Sequence, residues 1–262
     1  MVDALFTRAG EVFAPTRLTE GPWSPDAQHG GPPAALLSGA IENVASDVEM
    51  LLVRVSVELL RPVPLAPLRV TTELVRPGRR VQLVSASLSH DGEPVARALG
   101  MKIRVADFDL PFPQPDTEEI PGPGQGRPAN FFDNAGAFAN EAMDIQMIEG
   151  DFNEAGPGQA WMRLRVPVVE GEETTGFQRL AAAADFGNGV SNLAGDNRSW
   201  LFVNPDLAVR VFRPLVGEWV YLDCVTHLHG SGTGLASAQL RDTSGPLGVS
   251  QQTLFVEPFR AG

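Results

Sequence analysis

The sequence predicts an α+β protein built twice over, each copy an antiparallel sheet wrapped around one central helix. Composition, an internal repeat and the order of hydrophobic patterns within that repeat all lead there. Glycine (27) and proline (22) supply 49 of the 262 residues, above the usual share of about 12%, which implies many turns and short strands. A gapless offset of 152 aligns Val57–Pro94 with Val209–Pro246 and gives nine identities in 38 positions. About three arise by chance from average composition. Arg61-Pro62 meets Arg213-Pro214 and LVSASL meets LASAQL, so the apolar pattern repeats as well.

In the first copy, Pro32 to Ser46 reads as a helix, with prolines in its opening turn and Ala34, Ala35, Ser38, Gly39 and Ala40 spread over several faces. A helix with so little polar surface needs cover on most sides. Strands follow over Leu51–Leu60, Leu68–Arg76, Val81–Ser89 and Pro94–Val105, with turns at Pro77-Gly78 and at the hairpin signal Asp91-Gly92. The second copy repeats the order. Its helix lies within Thr175–Leu193, and its strands over Leu207–Phe212, Glu218–Leu228, Leu235–Asp242 and Leu247–Val256. Between the copies, prolines at 111, 113, 115, 121, 123 and 128 oppose both helix and sheet, so Asp107 to Asn130 reads as a linker. The expected organisation is therefore residues 1–106, a linker over 107–130, and residues 131–262.

Charge and composition exclude several functions. Against 32 Asp+Glu stand 20 Lys+Arg, a formal charge of −12, and the basic residues form no stripe. No nucleic-acid partner is expected. The longest uncharged apolar stretches, around Gly30–Ile41 and Leu180–Ala184, fall well short of the about 20 residues a bilayer crossing needs. Cys224 is the only cysteine, and MVDALFTRAGEVF has no apolar core behind a basic start. That pattern predicts a cytoplasmic protein without disulfides. Cys224 itself alternates with Leu222 and Thr226 and reads as a buried small residue.

Familiar catalytic motifs are missing. Gly189-Val190-Ser191-Asn192-Leu193 lacks the final glycine of a nucleophile elbow, and no H-E-x-x-H occurs. His227 and His229 share a strand face, but they read as solvated residues beside the hairpin turn Gly230–Gly234. Gly122, Gly124 and Gly126 follow no strand and precede no Lys-Ser/Thr, so they form no phosphate loop. No metal and no cofactor is expected.

Four segments resemble the double-hotdog acyl-CoA thioesterases of the thioesterase II type. They are His29-Gly30-Gly31-Pro32-Pro33 opening the first helix, Asp185 in AAAADFGNG, WLFVNPDLAVRVFRP (Trp200–Pro214), and Gln252 in GVSQQTLFV. The resemblance spans essentially the whole chain. It implies two hotdog units packed side by side into a continuous sheet, with an acyl-CoA thioester hydrolysed where they meet. Water can attack such a carbonyl without a nucleophilic side chain if it is held in line and its proton is accepted. Relatives hold that water with an Asp, a Ser or Thr, and a Gln, which fall here on Asp185, Asn204 and Gln252. Asn204 departs from the pattern, since an amide cannot relay a proton as a hydroxyl does.

The residues also speak for themselves. Asp185 is the only carboxylate in the apolar run Leu180–Val190. Burial with few partners would raise its pKa toward that of a useful base, unless it sits at the helix end and is satisfied by Asn188 or nearby backbone. Gln251 and Gln252 point to opposite faces, so only one looks inward. Asn204-Pro205-Asp206 is also turn chemistry. His29, Gly30 and Gly31 are candidates for substrate binding, their backbone N–H groups facing a developing oxyanion, or they fix only the helix entry. Arg61 and Arg213 either meet CoA phosphates or act as repeated structural arginines.

The expected function is an acyl-CoA thioesterase, and the expected partners are acyl-CoA and, through sheet edges, a second copy of the chain. One alternative is an acyl-CoA or lipid binder without turnover, suggested by Asn204. A hotdog enoyl-CoA hydratase is disfavoured, because the histidine expected about five residues after the aspartate is replaced by Val190.

Overall fold

A computed structural model describes residues 4–112, 119–129, 135–195 and 199–259. The N-terminal half contains β1 (Phe6–Ala9), β2 (Val12–Pro15), α1 (Gly31–Glu42), β3 (Met50–Leu59), β4 (Leu68–Arg76), β5 (Val81–His90) and β6 (Glu93–Arg104). The C-terminal half begins with β7 (Arg127–Pro128), β8 (Met143–Glu149), β9 (Gly158–Leu164), α2 (Gly176–Ala184) and α3 (Gly187–Val190). It ends with β10 (Trp200–Val203), β11 (Asp206–Val211), β12 (Val220–His229), β13 (Thr233–Asp242) and β14 (Gly245–Pro258).

All these strands join one sheet in the order β1-β2-β4-β5-β6-β3-β11-β14-β13-β12-β9-β8-β7, with β10 added along β14. Alternation supplies the inner face. Val84, Ala86 and Leu88 on β5, and Leu222, Cys224 and Thr226 on β12, are buried toward the helices while their neighbours face outward. Burial pushes the Cys224 thiol far above its ordinary range, so it is an inert core residue.

The halves meet where β3 runs antiparallel to β11, from Asp206 opposite Glu58 to Arg210 opposite Arg54. At the centre of this ladder Ser56 faces Ala208, its own counterpart at the repeat offset. A pseudo-twofold axis therefore passes through that pair, and the repeat is also a geometric one. Each half carries a hairpin ahead of its helix that extends the sheet outward, β1-β2 beside β4 and β8-β9 beside β12. A helix plus four strands was expected in each copy, so these hairpins are additions to that reading.

α1 and α2 pack against each other in opposite directions. A Cβ placed on Gly31, at the start of α1, would lie 2.9 Å from the Ala182 carbonyl near the end of α2. At the other end the Thr175 hydroxyl, N-cap of α2, donates to the Glu42 carboxylate in the last turn of α1. Lys102, the only lysine, reaches from β6 to donate to the carbonyls of Glu42 (3.1 Å) and Val44 (2.7 Å). It satisfies exposed carbonyls at the negative end of the helix, which therefore stops at Glu42, short of Ser46.

The second helix departs further from expectation. The segment Thr175–Leu193 is two pieces, broken at Asp185, with Gln252 as the wedge. Gln252 Nε2 donates to the Asp185 carbonyl (3.0 Å), while Gln252 Oε1 accepts from the Asn188 N–H (2.9 Å). A side chain has entered the backbone ladder at that point, an identifiable cause of a helix break.

Between the halves, residues 105–112 and 119–126 carry no regular secondary structure, although Pro121 accepts from the Trp161 indole at 2.7 Å. Residues 113–118 and 130 of the expected linker lie outside the described residues. Among the described residues, no helix is long and apolar enough to cross a membrane.

Candidate active site

The break at Asp185 turns a carboxylate into the space between the halves, where three polar side chains meet it. Asn204, between β10 and β11, donates from Nδ2 to Asp185 Oδ1 at 2.8 Å and to the Asp206 carbonyl at 3.3 Å. Gln252, on the inner face of β14, donates from Nε2 to the same Oδ1 at 3.2 Å. His29, immediately before α1, places Nδ1 2.8 Å from Asp185 Oδ2. The residues carried over from the resemblance thus converge, and a histidine from the other half joins them.

The electrostatics correct one expectation. Burial, the largest influence on Asp185, pushes its pKa up. It is outweighed by the electrostatic influence of the His29 ring together with hydrogen bonds from His29, Asn204 and Gln252, which hold the carboxyl below its ordinary value. The sequence suggests a carboxylate with few partners and a raised pKa; the structure supplies three side-chain donors and lowers it. Asp185 does lie at a helix end, but these side chains satisfy it, and Asn188 instead serves Gln252.

Counting donors and acceptors shows what remains for chemistry. Both Asn204 amide protons are used, which identifies its nitrogen and leaves its Oδ1 without a partner among the described residues. Both Gln252 amide protons go to Asp185, so Gln252 braces the carboxylate and the helix break. The backbone N–H of Gly31 lies 3.2 Å from His29 Nδ1. That nitrogen cannot accept from Gly31 while donating to a carboxylate, and the shorter, charge-assisted contact wins.

Gly30 and Gly31 permit these approaches. A Cβ on Gly30 would lie 2.7 Å from Asp185 Oδ2, and one on Gly31 would strike the Phe138 ring at 2.9 Å as well as the Ala182 carbonyl. The start of α1, with its partial positive charge, therefore sits against the carboxylate. Pro32 and Pro33 carry no N–H, and the Ala34 N–H is bonded to the Gly30 carbonyl. The Gly31 N–H is directed at His29 Nδ1, so at this helix start the Gly30 N–H, which makes no hydrogen bond among the described residues, is the donor left for a ligand.

Aromatic walls that sequence reasoning missed complete the site. His29 stacks on Phe186 (4.7 Å between centroids) and tilts against Phe138 (5.0 Å). Phe186 follows Asp185 directly and was visible within ADFGNG, whereas Phe138 comes from a π-helical turn (Phe138–Ala142) that carried no sequence signal. The Asp185 side chain is only 3% exposed and that of His29 13%, so the imidazole edge is the more accessible side of the cluster.

The counterpart site in the N-terminal half is filled with hydrocarbon. At the repeat offset Asn204 falls on Leu52 and Gln252 on Gly100. A Cβ on Gly100 would lie 2.5 Å from Ile41 and 3.1 Å from Leu52, both fully buried. Among the described residues the polar cluster exists once.

One other candidate, Arg213, resolves as structural. Arg213 grips the Asp242 carboxylate with two nitrogens (2.5 and 2.7 Å) and donates to the Pro246 and Gly245 carbonyls, closing the β13–β14 turn. Burial acts first to raise the Asp242 pKa, but Arg213 and the Val216 and Ser244 N–H groups hold it below its ordinary value. Arg61 meets Glu93 only at 3.8 Å on the surface. His229 Nδ1 contacts the Ser231 hydroxyl at 2.8 Å beside the expected hairpin turn.

Comparison with known proteins follows this geometry. Residues 19–103 match the acyl-CoA thioesterase N-terminal domain, and residues 113–256 match the acyl-CoA thioesterase C-terminal domain. No curated protein matches the sequence significantly. Among solved structures, a candidate thioesterase II from Thermobifida fusca YX superposes with a TM-score of 0.76 at 16% identity, over 96% of this chain and 95% of that one. A conserved hot dog-fold protein of unknown function from Alicyclobacillus acidocaldarius gives 0.74 at 15% identity, over 97% and 96%. The acyl-CoA thioesterase II TesB2 of Mycobacterium marinum gives 0.70 at 14%, over 100% and 96%. At such identities the superpositions speak for the fold, while the two matched domains carry the family. The chain belongs to the acyl-CoA thioesterase family and has its tandem hotdog fold.

Proposed function

We propose that this protein hydrolyses an acyl-CoA thioester to the free acid and CoA by direct attack of water at the Asp185 cluster. The observation that carries this reading is the convergence of Asn204, Gln252 and His29 on one buried carboxylate at the junction of the halves. Gln252 and Asn204 lock the carboxylate, and Asn204 Oδ1 is free to accept one proton of a bound water. The His29–Asp185 unit receives the other. As charge develops on the thioester oxygen, the Gly30 N–H at the positive end of α1 is the available donor. Held in line by these groups, water needs no serine or cysteine intermediate. Asn204 takes the place of a hydroxyl because it bridges two acceptors, Asp185 and the Asp206 carbonyl, which a single hydroxyl proton cannot do.

The test is incubation with acyl-CoA esters of graded chain length and a thiol reagent that reports free CoA. Release above the spontaneous rate for at least one ester is expected. No release with any ester, together with measurable binding, would leave an acyl-CoA binder in place of the enzyme.

A further inference from the structure

We propose that the imidazole of His29 is the group that takes the proton from the attacking water, with Asp185 as its positioning partner. The inference rests on the hydrolysis reading above and identifies the accepting atom. Nδ1 stands 2.8 Å from Asp185 Oδ2, a distance that two lone pairs facing each other would not hold. The proton therefore resides on Nδ1, and the basic lone pair of the ring is on Nε2. Nε2 makes no hydrogen bond among the described residues.

The ring is also held in place. Phe186 and Phe138 pack on it, and the His29 N–H donates to the Thr19 carbonyl at 2.8 Å. Asp185 has the opposite character. Its Oδ1 accepts two amide N–H groups, its Oδ2 accepts the imidazole, and it is the less exposed of the two. A carboxylate so heavily donated to is a weak base, but it orients an imidazole and stabilises the imidazolium that forms when a proton arrives.

The step balances without a further reactant. The water oxygen bonds to the thioester carbonyl carbon while one water proton passes to Nε2. The carbon–sulfur bond then breaks, and the CoA thiolate takes that proton back from Nε2. Carboxylic acid and thiol leave, and the imidazole is neutral again.

His29→Asn is the decisive substitution, because its amide nitrogen reaches about where Nδ1 lies and keeps a donor for Asp185 while removing Nε2. The expected result is a fall in kcat of about 10²-fold or more at an unchanged circular dichroism spectrum. In His29→Ala, added imidazole should restore rate in a saturable manner. In Asp185→Asn, where the base is present but unoriented, imidazole should restore none. His29→Asn turning over like the unsubstituted protein would overturn the assignment while hydrolysis stands. An unsubstituted protein that releases no CoA from any ester would overturn the hydrolysis reading and this inference with it.

Discussion

Asp185 carries a full charge in a place where charge is expensive, and the residues around it explain how. Its carboxyl is held below the ordinary value of 3.8 although burial pulls the other way. A depressed carboxylate contributes stability that is complete above its unfolded-state pKa and is lost as pH falls through the lower native value. Asp185→Asn removes that contribution. The difference in urea midpoint between Asp185→Asn and the unsubstituted protein should therefore narrow as pH falls below the ordinary carboxyl value of 3.8. The same substitution should lower kcat by at least about 10²-fold with KM little changed, as for a group whose role belongs to the transition state. Steady-state kinetics with the best ester of the panel checks this, and an unchanged kcat would remove Asp185 from the reaction.

Between elements, the close approach of α1 and α2 sets what can be altered. In an exposed helix interior, replacing glycine by alanine gains about 1 kcal/mol. At Gly31 the added methyl meets the Ala182 carbonyl and the Phe138 ring at 2.9 Å, neither of which is the free end of a flexible chain. Gly31→Ala should instead destabilise by about 1–3 kcal/mol, read as a lower thermal midpoint. How much of this was legible differs by element. Strands with clean alternation and turn signals on both sides were readable: β4 occupies the expected Leu68–Arg76, and β5, β6 and β12–β14 differ by at most two residues at either end. The hairpins at the two outer edges were not. β1 and β2 have four residues each, too few for a periodic signal, and β9 buries Ala160, Trp161 and Met162 in succession. The break in the second helix was hidden because its cause, Gln252, lies far away in sequence. The same distance hides the meeting of His29 with Asp185. Local pattern marked both positions, but only the fold could make them partners.

For the molecule as a whole, the continuous sheet makes the two halves one cooperative body. Core side chains from both halves share one large cluster, and the β3–β11 ladder crosses the axis. The connecting segment, by contrast, exposes Phe108 and Phe112 and has no sheet partner over residues 105–112. Chymotrypsin cleavage after Phe108, the one of the two not followed by proline, should leave fragments that elute together in size-exclusion chromatography and retain whatever acyl-CoA hydrolysis the intact chain shows. Separation of the fragments under native conditions would show that the covalent connection, rather than the shared sheet, holds the halves together.

The hydrocarbon-filled counterpart around Ile41, Leu52 and Gly100 gives the duplication its meaning. The N-terminal copy has hydrocarbon where the C-terminal copy has Asn204 and Gln252, yet it lends a histidine and a helix start to the shared cluster. A chain of this design resembles a heterodimer whose subunits are tethered in fixed proportion, each supplying part of one polar cluster. Substitution in the N-terminal half is thereby constrained at His29 and Gly31 by the shared cluster, and at Leu52 and Gly100 by hydrocarbon packing alone.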